Sequence, residues 1–264
     1  MHDPELEAFY GIIASSYDAD YAGLLGGADI AFYRRLAEES GGPVLEMGCG
    51  TGRVLLPIAR AGIPAHGMDG SAAMLDRFRA ALQAELPEVR DRVRLTPGDI
   101  RTTDAGARFP LVFAAGNVLH SFLERPDQRA WLANARRHLA PGGAFCFDVF
   151  QFDYSRLTAP PAWDVDVDRT DPATGYRSRR FVRCDHEPEF QRFRAAMRWL
   201  TEDAAGRTVE ERSASVMQRW FTRGELELLL EIEGFRIIDY WGAFEREPFG
   251  KGATHQVVRA VARG

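Results

Sequence analysis

Residues 44–52 read Val44-Leu45-Glu46-Met47-Gly48-Cys49-Gly50-Thr51-Gly52, an apolar run that leads into three glycines at alternate positions. The apolar residues from Thr51 to Ala61 are then spaced as in a helix. The pattern predicts a buried strand, a glycine turn and a helix, in that order. Glycines in such a turn let a ligand approach the backbone closely, at the positive end of the helix. The alternative is a tight turn that binds nothing.

The same alternation continues along the chain and predicts an α/β fold. Further strands are predicted at 64–68, 93–96, 111–115, 144–150, 235–243 and 255–262, and helices at 71–86, 126–139 and 222–233. Because these strands are apolar on both faces, we expect a parallel sheet covered by helices on both sides.

The alternation of predicted strands and helices ends after Phe150. Arginine-rich, extended stretches occupy 177–186, 190–200 and 208–220, and a turn separates two of them at 203–206. We therefore expect an antiparallel β cover, inserted at 151–220, within a single domain that spans 1–264.

Composition excludes several classes of protein. Hydrophobic residues make up 45% and charged residues 27% of the chain, and no apolar run reaches the roughly 18 residues of a membrane helix. The first twenty residues carry no signal peptide pattern, so we expect a cytoplasmic protein without a membrane partner. A net charge of −5 gives no general attraction for nucleic acid. Cys49, Cys146 and Cys184 lack metal-site spacing, so no metal is expected.

Asp69 ends the second predicted strand, 17 residues beyond Gly52. A carboxylate at this point can accept hydrogen bonds from both ribose hydroxyls of a nucleoside, in NAD and in S-adenosylmethionine alike. The alternative is an acid that only solvates a helix N-terminus. A dinucleotide-binding turn would need a third glycine at position 53, where this chain has Arg53. An NAD-linked oxidoreductase is therefore disfavoured.

Four segments resemble the motifs of the class I S-adenosylmethionine-dependent methyltransferases. Val44 to Gly52 resembles their first motif, Asp69-Gly70-Ser71 with Met74-Leu75 their second, Gly98-Asp99-Ile100 their third, and Leu139 to Gly143 the turn before their fifth strand. The resemblance implies a Rossmann-like, doubly wound, seven-stranded and mostly parallel sheet in the order 3-2-1-4-5-7-6. It implies S-adenosylmethionine as the cofactor, with the acid of the third motif at the adenine amino group. The cofactor-binding residues would be Glu46, Gly48, Cys49, Gly50, Gly52, Asp69, Gly70, Ser71, Met74, Asp99, Ile100 and Asn117.

The fourth predicted strand ends in Gly116-Asn117-Val118-Leu119-His120. Family members that methylate nucleic-acid bases would carry two prolines directly after the polar residue at position 117. This chain has Val118 and Leu119 there, so a small-molecule acceptor is favoured. The resemblance to small-molecule members puts Asn117 near the methionine part and His120 facing the acceptor, as a base or an orienting group. The alternative for His120 is a structural histidine.

Aromatic faces suit a site that binds a sulfonium cation, and three tyrosines precede the core. Because Ser16-Tyr17-Asp18 resembles a segment of small-molecule N- and O-methyltransferases, Tyr17 joins His120 as a catalytic candidate. Helix packing is the alternative. The substrate candidates are Tyr10, Tyr21, Asp148 and Glu245. A buried, hydrogen-bonded carboxylate is the alternative for Asp148, and a surface loop is the alternative for Glu245.

These features together predict methyl transfer to nitrogen or oxygen of a small molecule by in-line displacement. A non-catalytic nucleotide-binding module of the same fold remains an alternative, as does, less favoured, the NAD-linked oxidoreductase. The sequence predicts no oligomeric state and does not identify the acceptor.

Overall fold

The computed structural model describes residues 4–263, so the ends of the predicted domain, 1–3 and 264, lie outside the described residues. A seven-stranded sheet carries helices on both faces, and a separate four-stranded antiparallel sheet is inserted after its fifth strand. The larger sheet consists of β1 (Val44–Met47), β2 (Ala65–Asp69), β3 (Val93–Pro97), β4 (Phe109–Ala114), β5 (Leu139–Phe150), β10 (Phe235–Trp241) and β11 (His255–Ala262). The inserted sheet consists of β6 (Asp164–Thr170), β7 (Arg177–Glu187), β8 (Arg192–Glu202) and β9 (Thr208–Arg219).

The larger sheet has the order β3-β2-β1-β4-β5-β11-β10. Its strands run parallel except for β11, which is antiparallel to both of its neighbours. With the inserted strands left out of the numbering, this is the expected order 3-2-1-4-5-7-6. The carboxyl ends of β1 to β4 therefore meet at one edge of the sheet, where open α/β sheets bind their ligands.

The helices are α1 (Pro4–Ile13), α2 (Tyr17–Leu25), α3 (Ala28–Ser40), α4 (Leu55–Arg60), α5 (Ala72–Gln83), α6 (Pro87–Arg90), α7 (Arg125–Arg137) and α8 (Arg223–Ile232). Leu36, Ile58 and Phe78 from α3, α4 and α5 belong to one buried apolar cluster. Trp131 and Leu226 from α7 and α8 belong to a second. Within residues 4–263, none of these helices has the length and apolar character needed to cross a membrane.

Two differences from the predicted elements have physical causes. The Leu139 to Gly143 segment, expected as a turn, begins β5, because Leu139 pairs with Phe109 before a register shift. The strand β6 was not predicted. All of its residues except Val167 are exposed, so no buried face marks it.

The N-terminal helices join the inserted sheet to the core. From α1, Phe9 and Ile13 lie in one buried apolar cluster with Phe193 and Trp199 of β8. In α2, the buried carboxylate of Asp20 accepts a 2.8 Å hydrogen bond from Trp199 Nε1. On its other side, α2 contacts the glycine turn through a hydrogen bond from Thr51 Oγ1 to the Asp18 carboxylate. Thus α2 is held between the turn after β1 and the inserted sheet.

Candidate functional site

A cavity of about 270 Å³ lies at the carboxyl edge of β1 to β4. Helices α1 and α2 and the segment 118–124 supply further walls. Ten of the residues singled out in the sequence line this cavity. They are Tyr10, Tyr17, Gly48, Gly50, Asp69, Gly70, Ser71, Met74, Asp99 and Ile100.

The glycine turn has a backbone shape that only glycine adopts without strain. Gly48 and Gly50 have φ values of +88° and +51°. A Cβ atom on Gly48 would lie 2.9 Å from Val118 Cγ2, and one on Gly50 would lie 3.3 Å from Met74 Cε. Since these four residues line the cavity, side chains at the two glycines would take up space that a ligand can fill.

Asp69 is held at the cavity by the backbone of two neighbouring segments. Gly50 N donates to Asp69 Oδ2 at 2.7 Å, and Ser71 N donates to Asp69 Oδ1 at 2.8 Å. Burial raises the pKa of this carboxyl, whereas the amide hydrogen bonds oppose the rise. A carboxylate has about four lone-pair positions, so two amide donors leave it able to accept from a ligand as well.

Asp99 lines the cavity just beyond β3 and forms an ion pair with Arg101. The hydrogen bond from the Arg101 side chain is the largest influence on Asp99 and lowers its pKa to about 2. The carboxyl is therefore ionised at neutral pH.

Four of the expected cofactor residues do not line the cavity. Cys49 and Gly52 are buried within the turn, where a Cβ on Gly52 would meet the Phe78 ring at 2.4 Å. Glu46 is buried at the end of β1, and burial raises the pKa of its carboxyl well above the usual range. Asn117 Oδ1 accepts a 2.7 Å hydrogen bond from Phe150 N, so this side chain joins β4 to β5.

The three tyrosines form one group beside the cavity. Tyr10 and Tyr17 line it, while Tyr21 packs on Tyr17 with ring centroids 4.4 Å apart. The guanidinium of Arg53 lies 4.9 Å from the centroid of the Tyr21 ring. Burial raises the pKa of Tyr10 and Tyr17, so their hydroxyls are neutral at physiological pH.

His120 was expected to face the acceptor, but it does not line the cavity. It belongs to a short 3₁₀ helix (Val118–Ser121), which repeats every three residues and so brings Val118 and Ser121 to the cavity side. His120 is fully buried and stacks on Phe150 with ring centroids 4.3 Å apart. Burial lowers its pKa to about 3, against the opposing effect of the Arg219 backbone. The structure thus corrects the expected position of His120 and gives the structural alternative a physical basis.

Asp148 and Glu245 also lie away from the cavity. Asp148 is buried in β5 and accepts a 2.7 Å hydrogen bond from Tyr33 Oη and a 3.1 Å one from Gly116 N. Asp148 is therefore a buried, hydrogen-bonded carboxylate, the alternative to a substrate contact, and its hydrogen bond from Gly116 N anchors the turn after β4. Glu245 is exposed in the loop that joins β10 to β11.

Several residues that line the cavity were missed in the sequence. They are Leu6, Glu7, Arg101, Ala115, Gly116, Val118, Ser121, Phe122, Leu123, Glu124 and Asp127. Arg101 could have been predicted, because it lies two residues after Asp99, just beyond a predicted strand. Leu6 and Glu7 gave none, because helix α1 reaches the cavity only through tertiary packing.

The cavity has an acidic lining. Its described residues include five carboxylates and a single arginine, Arg101; the carboxylates are Glu7, Asp69, Asp99, Glu124 and Asp127. This excess of negative charge favours a cationic ligand. S-adenosylmethionine, with its sulfonium and ammonium groups, therefore fits both the charge of the cavity and the space left beside Gly48 and Gly50.

Comparisons with known proteins agree with this geometry. A family model described as a methyltransferase domain matches residues 45–145. The CcbJ methyltransferase from Streptomyces caelestis is 28% identical, with full coverage of both chains and a TM-score of 0.82. CalS10, an amino pentose methyltransferase from Micromonospora echinaspora solved with S-adenosylmethionine bound, is 27% identical over 92% of this chain and 95% of that chain, with a TM-score of 0.67. A cypemycin N-terminal methyltransferase from Streptomyces sp. is 26% identical over 228 residues, which span 83% of this chain and 82% of that protein.

The sheet order, the glycine turn after β1 and the carboxylate at the end of β2 define a Rossmann-like fold with a candidate cofactor site at the carboxyl edge of its sheet. The comparisons add the reaction. The chain is an S-adenosylmethionine-dependent methyltransferase, and S-adenosylmethionine is its cofactor.

Proposed function

We propose that this methyltransferase acts on nitrogen or oxygen of a small molecule, and that amines are its preferred acceptors. The observation that carries the proposal is one shared cavity, in which the residues after β1 to β3 lie together with Tyr10, Tyr17 and the 118–124 segment. Donor and acceptor can therefore meet within one enclosure, as in-line displacement requires.

The residues after β1, β2 and β3 hold the donor in this proposal. Asp69 accepts from the ribose hydroxyls, Asp99 accepts from the adenine amino group, and the methionine part lies along Gly48 and Gly50. Gly70, Ser71, Met74 and Ile100 complete this part of the cavity. Bound S-adenosylmethionine supplies an electrophilic methyl group, so the chain needs mainly to align an acceptor and exclude water.

Glu46, Cys49, Gly52 and Asn117 act behind the cavity in this proposal. Cys49, Gly52 and Asn117 shape the two turns that face the ligand, as their burial and contacts indicate. The Glu46 carboxyl has a raised pKa because it is buried, and a cation bound nearby would favour its ionised form. Glu46 would thereby attract the positive methionine part.

Tyr10 and Tyr17 orient the acceptor in this proposal. Because their pKa values are raised, they serve as hydrogen-bonding hydroxyls and not as bases at neutral pH. An amine with a free lone pair needs no strong base at the moment of transfer, whereas a hydroxyl does. The names of two relatives, the cypemycin N-terminal methyltransferase and the amino pentose methyltransferase, support the same preference.

The inserted sheet acts as a cover through the N-terminal helices. Among the described residues that line the cavity, none comes from 164–219. The sheet instead packs against Phe9 and Ile13 of α1, the helix that brings Tyr10 to the cavity. In this proposal, the cover fixes α1 and α2, and these helices contact the acceptor.

Donor binding is tested by calorimetry with S-adenosylhomocysteine. We expect Asp69→Asn to weaken binding at least tenfold, since the amide replaces an acceptor oxygen with a donor and loses the charge. Asp76→Asn is the matched control, because Asp76 lies on α5 as one member of an exposed ion pair with Arg79. Equal affinities of the two variants would contradict the role of Asp69.

The acceptor class is tested by transfer of a labelled methyl group to paired compounds that differ only in amine or hydroxyl. Amino sugars and peptides with free N-termini, each beside its hydroxyl counterpart, make a suitable panel. We expect methylated amines as products. Methylation of the hydroxyl members alone would reject the amine preference, and binding of S-adenosylmethionine without any transfer would reject the small-molecule assignment for these acceptors.

A further inference from the structure

Arg101 holds the Asp99 carboxylate through three donors of one residue. The backbone N and the Nε of Arg101 each donate to Asp99 Oδ1 at 2.9 Å. Its Nη2 donates to Asp99 Oδ2 at 2.6 Å. A fork of this kind fixes the plane of a carboxylate as well as its position. The orientation of Asp99 in the cavity therefore depends on Arg101.

Arg101 has a second anchor on another element that lines the cavity. Its Nη1 donates to Asp127 Oδ1 at 2.5 Å, in the first turn of α7. Its guanidinium carbon also lies 5.9 Å from the centroid of the Phe122 ring. Asp127 and Phe122 both line the cavity, so the Arg101 side chain bridges the loop after β3 and the segment that leads into α7.

The backbone around this bridge is held independently of it. Asn134 of α7 donates to Ile100 O at 2.8 Å and to Thr103 O at 3.0 Å. A Cβ on Gly98 would lie 2.2 Å from Thr103 Oγ1, so the loop closes tightly on itself. Removal of the Arg101 side chain should therefore take the Nε and Nη2 donors from the Asp99 carboxylate without unfolding the loop, while the backbone N of residue 101 stays in place.

We propose that Arg101 is a positioning residue that sets the selectivity of the cavity for a 6-aminopurine over a 6-oxopurine. The proposal rests on the proposed contact between Asp99 and the adenine amino group. A carboxylate held in one orientation accepts a hydrogen bond from a 6-amino group, but it faces a second acceptor when the purine carries a 6-oxo group. A carboxylate that has lost the two side-chain donors of the fork is held less firmly in one plane and can turn away from that oxygen more readily, so it discriminates less.

The experiment compares S-adenosylhomocysteine with S-inosylhomocysteine, its 6-oxo analogue, by titration calorimetry at pH 7.5. For the unaltered chain we expect at least a tenfold preference for the amino compound, the lower end of what a charged hydrogen bond provides. Arg101→Met keeps a long side chain but removes its charge and its hydrogen-bond donors. In this variant we expect the preference for the amino compound to fall to about threefold or less, mainly because the oxo compound binds more tightly relative to the amino compound. Arg129→Met is the matched control, since Arg129 is on α7 and pairs with Glu233.

The outcomes distinguish a failure of the role of Arg101 from a failure of the proposed donor site. If Arg101→Met weakens both ligands by the same factor, or leaves the preference unchanged, Arg101 has only a structural role and the inference is overturned. If Arg101→Met does not fold, Arg101→Lys keeps the positive charge but not the fork, and a reduced preference in that variant supports the inference while an unchanged one overturns it. If the unaltered chain does not bind S-adenosylhomocysteine, the donor site itself is refuted, and the inference with it.

Discussion

His120 offers a prediction in which a structural and a catalytic role give opposite results. The perturbation is His120→Phe, which keeps an aromatic ring between Phe150 and Phe221. The folded chain binds a proton at His120 only near pH 3, whereas the unfolded chain binds it near pH 6.5. Between these values the unfolded state holds more protons, so burial of the imidazole makes the folded state less stable as the pH falls.

The magnitude follows from the difference between the two pKa values. At about 1.36 kcal/mol per pH unit, the fall from pH 6.5 to pH 5.0 removes about 2 kcal/mol from the free energy of unfolding. His120→Phe should not show this loss, because phenylalanine does not titrate. His120→Ala should be about 3 kcal/mol less stable than the unaltered chain at pH 7.0, since it leaves a cavity in a stacked aromatic cluster, and only about 1 kcal/mol less stable at pH 5.0, because alanine does not titrate either.

Urea denaturation of the three proteins at pH 7.0 and pH 5.0 measures these differences. We expect the unfolding free energy of His120→Phe to approach or exceed that of the unaltered chain at the lower pH. A pH dependence identical in both proteins would refute the argument that His120 is buried in its neutral form. If a folded His120→Phe loses 100-fold or more in methyl transfer, together with the acidic limb of its pH profile, the argument is refuted and His120 acts as the base.

Two further predictions concern packing around the site. Gly52→Ala should cost about 2–5 kcal/mol of unfolding free energy, because it combines a φ of +82° with a Cβ 2.4 Å from the Phe78 ring; Gly106→Ala, at +70° in open space, should cost only the backbone part of about 1–2 kcal/mol. Equal costs in chemical denaturation would show that the Phe78 contact does not matter. Asp20→Asn should lower the free energy of unfolding by about 3 kcal/mol, since the buried Asp20 carboxylate accepts a hydrogen bond from Trp199 and its Oδ2 lies 3.6 Å from Arg180 Nη1. The control Asp168→Asn, in an exposed ion pair with Arg177, should lower it by less than about 1 kcal/mol. Similar melting temperatures for these two variants would contradict the link between α2 and the inserted sheet.

The part of the site that was predictable from sequence lies close to the strand ends. Gly48, Gly50, Asp69 and Asp99 lie at or just beyond the ends of strands that were predicted from the sequence, and parallel strands bring their carboxyl ends together. The glycine turn needs positive φ at fixed positions, so its spacing is visible without any tertiary information. Local geometry therefore sufficed for these positions.

His120 was misplaced because the conformation after β4 was not specified by the sequence pattern. The segment Gly116-Asn117-Val118-Leu119-His120 carries polar residues at both ends, and either end can face a ligand. A 3₁₀ turn, with three residues per repeat, brings Val118 and Ser121 to the cavity and leaves His120 in the core. A shift of one residue in the conformation of this turn changes which side chain reaches the cavity.

The acceptor side depends on contacts between segments that are distant in the sequence. Tyr10 reaches the cavity on α1, whose buried residues Phe9 and Ile13 pack with β8 of the inserted sheet. In the function that we propose, the donor carboxylate makes no such demand, since Asp69 is fixed by Gly50 and Ser71 in the turns after β1 and β2. A change in the inserted sheet can therefore move Tyr10 relative to the donor without altering the hydrogen bonds of Asp69. In the function that we propose, such a separation lets acceptor specificity vary while the affinity for S-adenosylmethionine is retained, because the two hydrogen bonds that fix Asp69 involve neither α1 nor the inserted sheet.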